Sequence, residues 1–266
     1  MLNHSVRRGL AVVILGLLAC CSVLGTTRKE INVLFIGNSL TYVNDVPAIV
    51  AAIAEADGRK RIIYKTVAFA DFSLEDHWRQ GDARQAIADG RWDFVALQQG
   101  PSALPESRAL LLDYTRRFSA DIRRVGAMPA LYMVWPSAAR QDDFDRVSES
   151  YRLAARDVDG LLFPVGEAWR AGWRRNPRLA LYSADGLHPT VLGSYLAALV
   201  IYENLCVCAP TKLPARLVVR SRVLREINLR AEDAETLQEA AREASPQTFG
   251  VLLRNHWSDR AIAYFY

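Results

Sequence analysis

The sequence predicts an α/β fold, a three-layer α/β/α sandwich built around a mainly parallel, five-stranded sheet. Five short runs of strand-forming residues recur along the chain, at 31–36, 61–67, 93–97, 130–135 and 161–165. Segments with helical spacing alternate with these runs, at 46–56, 83–88, 106–125, 144–158 and 191–205. Such alternation predicts parallel strands that are covered by helices on both faces, with active residues on loops beyond the carboxyl ends of the strands.

The first 25 residues have the pattern of an export signal. Arg7 and Arg8 precede an apolar stretch at 10–19, and small residues follow it. The stretch is shorter than the roughly 20 residues that a transmembrane helix needs. The tetrapeptide at 17–20, Leu-Leu-Ala-Cys, is similar to a lipobox, which would place a lipid anchor on Cys20. Ordinary cleavage near 22–25 is the alternative, and both predict an exported protein that is periplasmic, secreted or membrane-anchored.

The chain that follows the signal is long enough for one sizeable domain, since the full sequence of 266 residues is 51% hydrophobic. We expect the domain to span 31–209. Residues 210–266 add a strand-like run at 216–219 and a helical run at 231–244, and we interpret them as an appendage packed on the same domain. Removal of the signal lowers the net charge of +4 by two, and the basic and acidic residues are interspersed along the chain. A nucleic-acid partner is therefore not predicted.

The cysteines and histidines do not predict a metal or cofactor. Cys206 and Cys208 lie in an apolar stretch with helical character, where positions two apart point to different sides. We therefore expect buried, inert thiols and no disulfide. The sequence has no His-Glu-x-x-His motif, no cysteine and histidine cluster and no glycine-rich phosphate loop.

Two short motifs carry the candidate chemistry. Gly-Asn-Ser-Leu at 37–40 directly follows the first strand, so Ser39 would sit on an exposed turn. Alone, a Gly-x-Ser motif is most often a plain turn. Asp185 lies three residues before His188, a spacing that lets its carboxylate reach the ring Nδ1 and leaves Nε2 to accept a proton from a serine. The alternative for this second motif is a helix-entry loop before Pro189.

Together the two motifs resemble the first and last sequence blocks of the SGNH/GDSL hydrolases, over roughly 31–205. Here the first block reads Gly-Asn-Ser-Leu, whereas the family name has Gly-Asp-Ser-Leu. The α/β-hydrolase elbow fits less well, because it needs a second glycine where this chain has Thr41. The resemblance implies a flavodoxin-like sheet and a serine esterase in which His188 and Asp185 activate Ser39.

The resemblance also implies an oxyanion hole formed by two backbone N–H groups and one amide side chain. The backbone groups would be those of Ser39 and of Ala70, which stands where the family usually has glycine. The family's asparagine is replaced by Gln98 or Gln99, and we favour Gln98 because a subgroup of the family has Leu-Gln at this strand end. The alternative is that both glutamines are loop or capping residues.

Three further residues are candidates for the substrate pocket: Tyr42, His77 and Trp135. His77 belongs to Ser-Leu-x-x-His-Trp, a motif of the same subgroup, but a solvated helix histidine is an equal alternative. For Tyr42 and Trp135 the alternative is core packing. The predicted substrate is a small-molecule or carbohydrate ester, such as a cell-envelope O-acyl group, because the protein is predicted to be exported. A non-catalytic envelope binding protein on the same scaffold is the competing hypothesis.

Overall fold

The computed structural model describes residues 28–210 and 213–245. The predicted export signal, including Cys20, lies outside these ranges. The strands of the main sheet are β1 (Lys29–Gly37), β2 (Lys60–Ala68), β3 (Phe94–Leu97), β4 (Met128–Met133) and β5 (Leu161–Pro164). The larger helices are α2 (Val46–Asp57), α5 (Pro105–Arg124), α6 (Phe144–Asp157), α7 (Val165–Arg175), α8 (Val191–Cys206) and α9 (Ala231–Ala244). The shorter helices are α1 (Ser39–Tyr42), α3 (Leu74–Gln80) and α4 (Asp82–Asp89).

The five strands form one parallel sheet in the order β2-β1-β3-β4-β5. Strand β1 lies between β2 and β3, and its last five residues are all buried. A central parallel strand is covered on both faces, which explains its continuous apolar run. The predicted α/β fold with a five-stranded parallel sheet is confirmed.

Helices cover both faces of the sheet. On one face α2 packs against α8, and α7 and α9 both contact α8. On the other face α5 contacts α3, α4 and α6. Among the described residues, no helix is both long and apolar enough to cross a membrane. Because all five strands run in one direction, their carboxyl ends meet at one edge of the sheet, where the loops that follow β1, β2, β3 and β4 can meet.

The segment after α8 forms a short antiparallel hairpin and a helix. The hairpin strands are β6 (Arg216–Val218) and β7 (Glu226–Asn228). Helix α9 then packs against α7 and α8, and Leu237, Ala240 and Ala241 are fully buried. The sequence patterns do not predict β7, α7 or the short helices α1 and α3. Helix α7 begins directly after β5, and its first residue had been included in the predicted strand.

The structure corrects the prediction for Cys206 and Cys208, which form a disulfide. Helix α8 ends at Cys206, and the next residue, Val207, has a left-handed conformation with φ 51° and ψ 46°. This turn brings Cys208 back beside Cys206, with 5.2 Å between the two Cα atoms. That separation suits a disulfide. The prediction was wrong because it continued helical geometry through all three residues.

Candidate active site

Ser39 lies at the carboxyl end of β1, as the first residue of α1. It is partly exposed and lines an open pocket of about 480 Å³. Asn38 caps α1 by accepting the N–H of Leu40 on its side chain, at 3.1 Å. The N–H of Ser39 has no intrahelical carbonyl to bond, because it belongs to the first turn. It is therefore available as a donor at the turn that carries the hydroxyl.

The buried side chain of Gln98 forms hydrogen bonds to this turn. Gln98 is 1% exposed, and its Oε1 accepts the N–H of Asn38 and the hydroxyl of Thr41, each at 2.8 Å. Its Nε2 donates to Asn38 Oδ1 at 2.9 Å and to the carbonyl of Gln99 at 2.7 Å. A side chain at Gly37 would overlap Gln98 and Thr41, which explains the glycine.

The assignment of Gln98 to the oxyanion hole is therefore corrected. Both hydrogens of its amide are donated within the protein, and Gln98 does not line the pocket. Gln99 does line the pocket, but its Nε2 donates to the Ser102 hydroxyl and to the carbonyl of Ser107. Its Oε1 accepts the N–H of Leu74. The alternative, that both glutamines are loop and capping residues, describes the structure better.

Asn38 connects the turn at Ser39 to the loop after β2. Its Nδ2 donates to the carbonyl of Phe72 at 3.1 Å. An aspartate at this position, as in the family name, would have no N–H for that carbonyl. In this chain the asparagine thus links the first and second sequence blocks through one side chain.

Ala70 lies in a tight turn after β2, in which the N–H of Phe72 bonds to the carbonyl of Phe69 at 3.4 Å. The positive φ of the turn, 60°, falls on Asp71. Ala70 is not among the residues with positive φ, so its Cβ is accommodated without backbone strain. This satisfies the condition under which an alanine can replace the family's glycine. Asp71 and Phe72 line the pocket.

Asp185 and His188 form the pair that the sequence predicts. The carboxylate Oδ2 lies 2.7 Å from Nδ1 of His188, while Oδ1 accepts the N–H groups of Leu187 and His188 at 2.9 and 3.0 Å. Nδ1 is therefore the protonated nitrogen, and Nε2 is left with its lone pair. The N–H of Leu187, the His188 ring and the His188 N–H together lower the pKa of Asp185 to about 2. The carboxylate stays ionised at any ordinary pH.

Several contacts fix the loop that carries this pair. The indole Nε1 of Trp135 donates to the carbonyl of Leu187 at 3.0 Å, and the hydroxyl of Tyr182 donates to the carbonyl of Pro136 at 2.6 Å. Trp135 is fully buried and stacks on Trp169, with 3.7 Å between the ring centroids. The alternative of core packing therefore describes Trp135, which supports the loop from below and does not line the pocket.

A second link joins the loop to the segment after Ser39. Asn44 has a positive φ of 58°, and its Nδ2 donates to the carbonyl of Pro189 at 3.1 Å and to the Ser194 hydroxyl at 3.0 Å. Sequence reasoning missed Asn44, because its partners lie about 150 residues away. Ser39 and Leu187 line the same pocket. Among the described residues, no direct hydrogen bond joins Ser39 to His188.

His77 and Tyr42 do not line the pocket. His77 is 1% exposed on α3, and its Nε2 lies 2.7 Å from the carbonyl of Gly37. Because a carbonyl can only accept, Nε2 must carry the proton. Burial lowers the pKa of His77, which keeps the ring neutral. His77 is neither a pocket residue nor a solvated histidine: it is a buried donor that supports the end of β1.

Comparisons with known proteins agree with this architecture. No family model matches the chain, and neither does any curated protein. Among solved structures, the "putative SGNH hydrolase" of Slackia heliotrinireducens is 30% identical with a TM-score of 0.56, over 66% of this chain and 98% of that one. A DUF4886 family protein from Bacteroides uniformis is 20% identical with a TM-score of 0.64, over 85% and 96% of the two chains.

An acetyl-xylooligosaccharide esterase from Geobacillus is 15% identical, with a TM-score of 0.52 over 67% of this chain and 95% of that one. At this identity the likeness shows the fold alone. The Slackia protein is matched over almost its whole length at 30% identity. The chain belongs to the SGNH/GDSL hydrolase superfamily.

Proposed function

We propose that the protein hydrolyses carboxylic esters through an acyl-enzyme intermediate on Ser39. The observation that carries the proposal is the Asp185–His188 pair, in which the carboxylate bonds to Nδ1 and leaves Nε2 free to accept a proton, while the neighbouring Leu187 lines the pocket of Ser39. In this arrangement His188 is suited to act as a general base.

In the proposed first step, Nε2 of His188 takes the proton of the Ser39 hydroxyl while the serine oxygen attacks the ester carbonyl. Asp185 holds the ring in place and stabilises the imidazolium. The imidazolium then gives its proton to the leaving alcohol. In the second step His188 activates a water molecule that hydrolyses the acyl-enzyme and releases the acid.

The negative oxygen of the tetrahedral intermediate would be stabilised by the backbone N–H groups of Ser39 and Ala70. Two structural features support these donors: Ser39 is in the first turn of α1, and Ala70 is in the turn that Asn38 binds through Phe72. With Gln98 and Gln99 committed to internal hydrogen bonds, neither amide is free to act as the third donor.

The missing amide donor favours the competing hypothesis of a binding protein that has kept the scaffold without catalysis. Such a binding protein would not need a histidine whose Nε2 can accept a proton, so the Asp185–His188 pair argues against this hypothesis. Labelling with a fluorophosphonate separates the two hypotheses, because the reagent reacts only with an activated serine. A catalytic protein should be labelled on the peptide that contains Ser39, whereas a binding protein should stay unlabelled.

The direct test is hydrolysis of p-nitrophenyl acetate by Ser39→Ala. We expect kcat to fall about 10⁴-fold or more, with an unchanged circular dichroism spectrum. Ser137→Ala is a matched control, since Ser137 lines the same pocket and its side chain makes no capping bond. Ser137→Ala should keep kcat within about twofold of the wild type. A Ser39→Ala variant that is as active as the wild type would show that Ser39 is not the nucleophile.

We also propose that the protein acts outside the cytoplasm, on account of the signal-like residues 1–25. The Cys206–Cys208 disulfide supports this location, because disulfides persist mainly in oxidising compartments. A carbohydrate or cell-envelope O-acyl ester as the natural substrate rests on location alone.

A further inference from the structure

The pocket at Ser39 continues along the start of α5, where it has an apolar rim. Leu104, the residue before α5, is 46% exposed, and Leu110, in the second turn of the helix, is 37% exposed. Both side chains line the same pocket as Ser39. Single exposed leucines are common on protein surfaces, but two exposed leucines that line the pocket of a nucleophile offer apolar surface to a ligand.

Other residues add apolar surface to the lining of this pocket. Leu40, Phe72 and Leu187 are among them, and the lining also includes polar side chains such as Ser73. The only basic side chain in the lining is that of Arg140, which donates to Asp143 at 2.6 Å, and Asp71 adds a negative charge. An anionic group would therefore find no unpaired cation here, whereas a neutral hydrocarbon chain would bury the apolar part of the lining.

The position of His188 indicates which part of an ester enters this pocket. Leu187 lines the pocket, but His188 does not. In the proposed mechanism the imidazolium protonates the leaving alcohol, so the alcohol must leave on the side of His188. The acyl group lies on the other side of the reacting carbon, toward the pocket that runs from Ser39 to α5.

We infer that this protein selects esters whose acyl groups are apolar chains longer than acetyl, which lie against Leu104 and Leu110. The inference rests on the proposed function of Ser39. It differs from a preference for acetyl groups, since an acetyl group has only one methyl group to place against these leucines. The acyl pocket thus includes Leu40, Phe72, Leu187, Leu104 and Leu110.

The test compares kcat/KM for p-nitrophenyl acetate, hexanoate and octanoate. Each methylene group that becomes fully buried adds about fourfold to kcat/KM, so two buried groups give at least about tenfold. We expect the wild type to prefer octanoate over acetate by about tenfold or more. The double variant Leu104→Ser/Leu110→Ser should reduce the octanoate-to-acetate ratio about tenfold, with circular dichroism and thermal unfolding used to verify its fold.

Val125→Ser is the matched control. Val125 follows the other end of α5, is 37% exposed like Leu110, and does not line the pocket. This variant should keep the wild-type ratio. A double variant that also keeps the wild-type ratio would overturn the inference, as would a wild type without chain-length preference.

A second series varies the alcohol, from ethyl to octyl acetate. If kcat/KM depends on the length of the alcohol in this series, and the double variant abolishes that dependence, the alcohol occupies the pocket. This result would also overturn the inference. Failure of the proposed function has a different signature: no ester is cleaved and fluorophosphonate does not label Ser39. Cleavage of all acyl esters at equal rates, with labelling of Ser39, overturns only the acyl-chain preference.

Discussion

Substitution of Gln98 distinguishes a structural role beneath the nucleophile turn from a role in the oxyanion hole. We choose Gln98→Met, because methionine has a similar length and cannot donate or accept as an amide does. Two of the four groups that bond to Gln98 keep another partner. The carbonyl of Gln99 also accepts the Tyr151 hydroxyl at 2.7 Å, and Asn38 Oδ1 also accepts the N–H of Leu40.

The other two groups, the N–H of Asn38 and the hydroxyl of Thr41, lose the Gln98 acceptor in a buried site. A buried donor left without a partner costs about 1 to 3 kcal/mol. Gln98→Met should therefore lower the free energy of unfolding by about 2 to 6 kcal/mol, as measured by urea denaturation. The value of kcat for p-nitrophenyl acetate should fall as well, because the turn that carries Ser39 loses its support.

Thr41→Val supplies an internal check. In the wild type it removes one hydrogen bond and should cost about 1 kcal/mol. In the Gln98→Met background it removes the orphaned hydroxyl, so it should recover about 1 kcal/mol or more. Equal destabilisation in both backgrounds would refute the reasoning. So would a Gln98→Met variant with wild-type stability and a 100-fold or larger loss of kcat, which is the signature of a lost oxyanion donor.

Three further predictions follow from the other parts of the molecule. Asp185→Asn should reduce kcat by about 10⁴-fold, because the amide no longer selects the tautomer of His188 that leaves Nε2 free; a variant above a tenth of the wild-type kcat would contradict this. Burial raises the pKa of Glu203 to about 8, so this side chain is protonated in the folded protein at pH values where the unfolded chain ionises it. The stability of the protein should therefore fall as the pH rises from about 4.5 to 8. In thermal unfolding scans, Glu203→Gln should reduce this dependence of stability on pH. An unchanged pH dependence would show that another group causes it. If the signal is of the lipoprotein type, Cys20→Ser should move the protein from the membrane fraction to the soluble fraction, whereas a wild type without lipid would favour ordinary cleavage.

Two departures from the family pattern contact each other beneath the turn at Ser39. The first block has Asn38 in place of aspartate, and the Nδ2 of this asparagine donates to the carbonyl of Phe72. The third block has Gln98, whose amide bonds to the backbone N–H and the Oδ1 of Asn38. An aspartate would also supply these two groups, so only the bond to Phe72 is specific to asparagine.

The features that depend on local pattern follow from the sequence alone. The strands and most helices could be predicted from hydrophobic periodicity, because a buried parallel strand needs a continuous apolar run and a helix needs a spaced one. The Asp185–His188 pair could be predicted as well, because a spacing of three residues in a short loop is enough to bring the carboxylate to the ring. Neither feature depends on residues far along the chain.

The directions in which the side chains outside these motifs point depend on the tertiary structure. Gln98 and His77 were both assigned to the site from motifs, yet each contacts backbone or side-chain groups of the turn at 37–41 from the protein interior. Their orientation is set by hydrogen-bond partners 40 to 60 residues away, which no local spacing reveals. The disulfide at Cys206 depended in the same way on one left-handed residue. The pocket at Ser39 could not be predicted from the sequence, because its lining comes from five separate segments of the chain. These segments meet where parallel strands end.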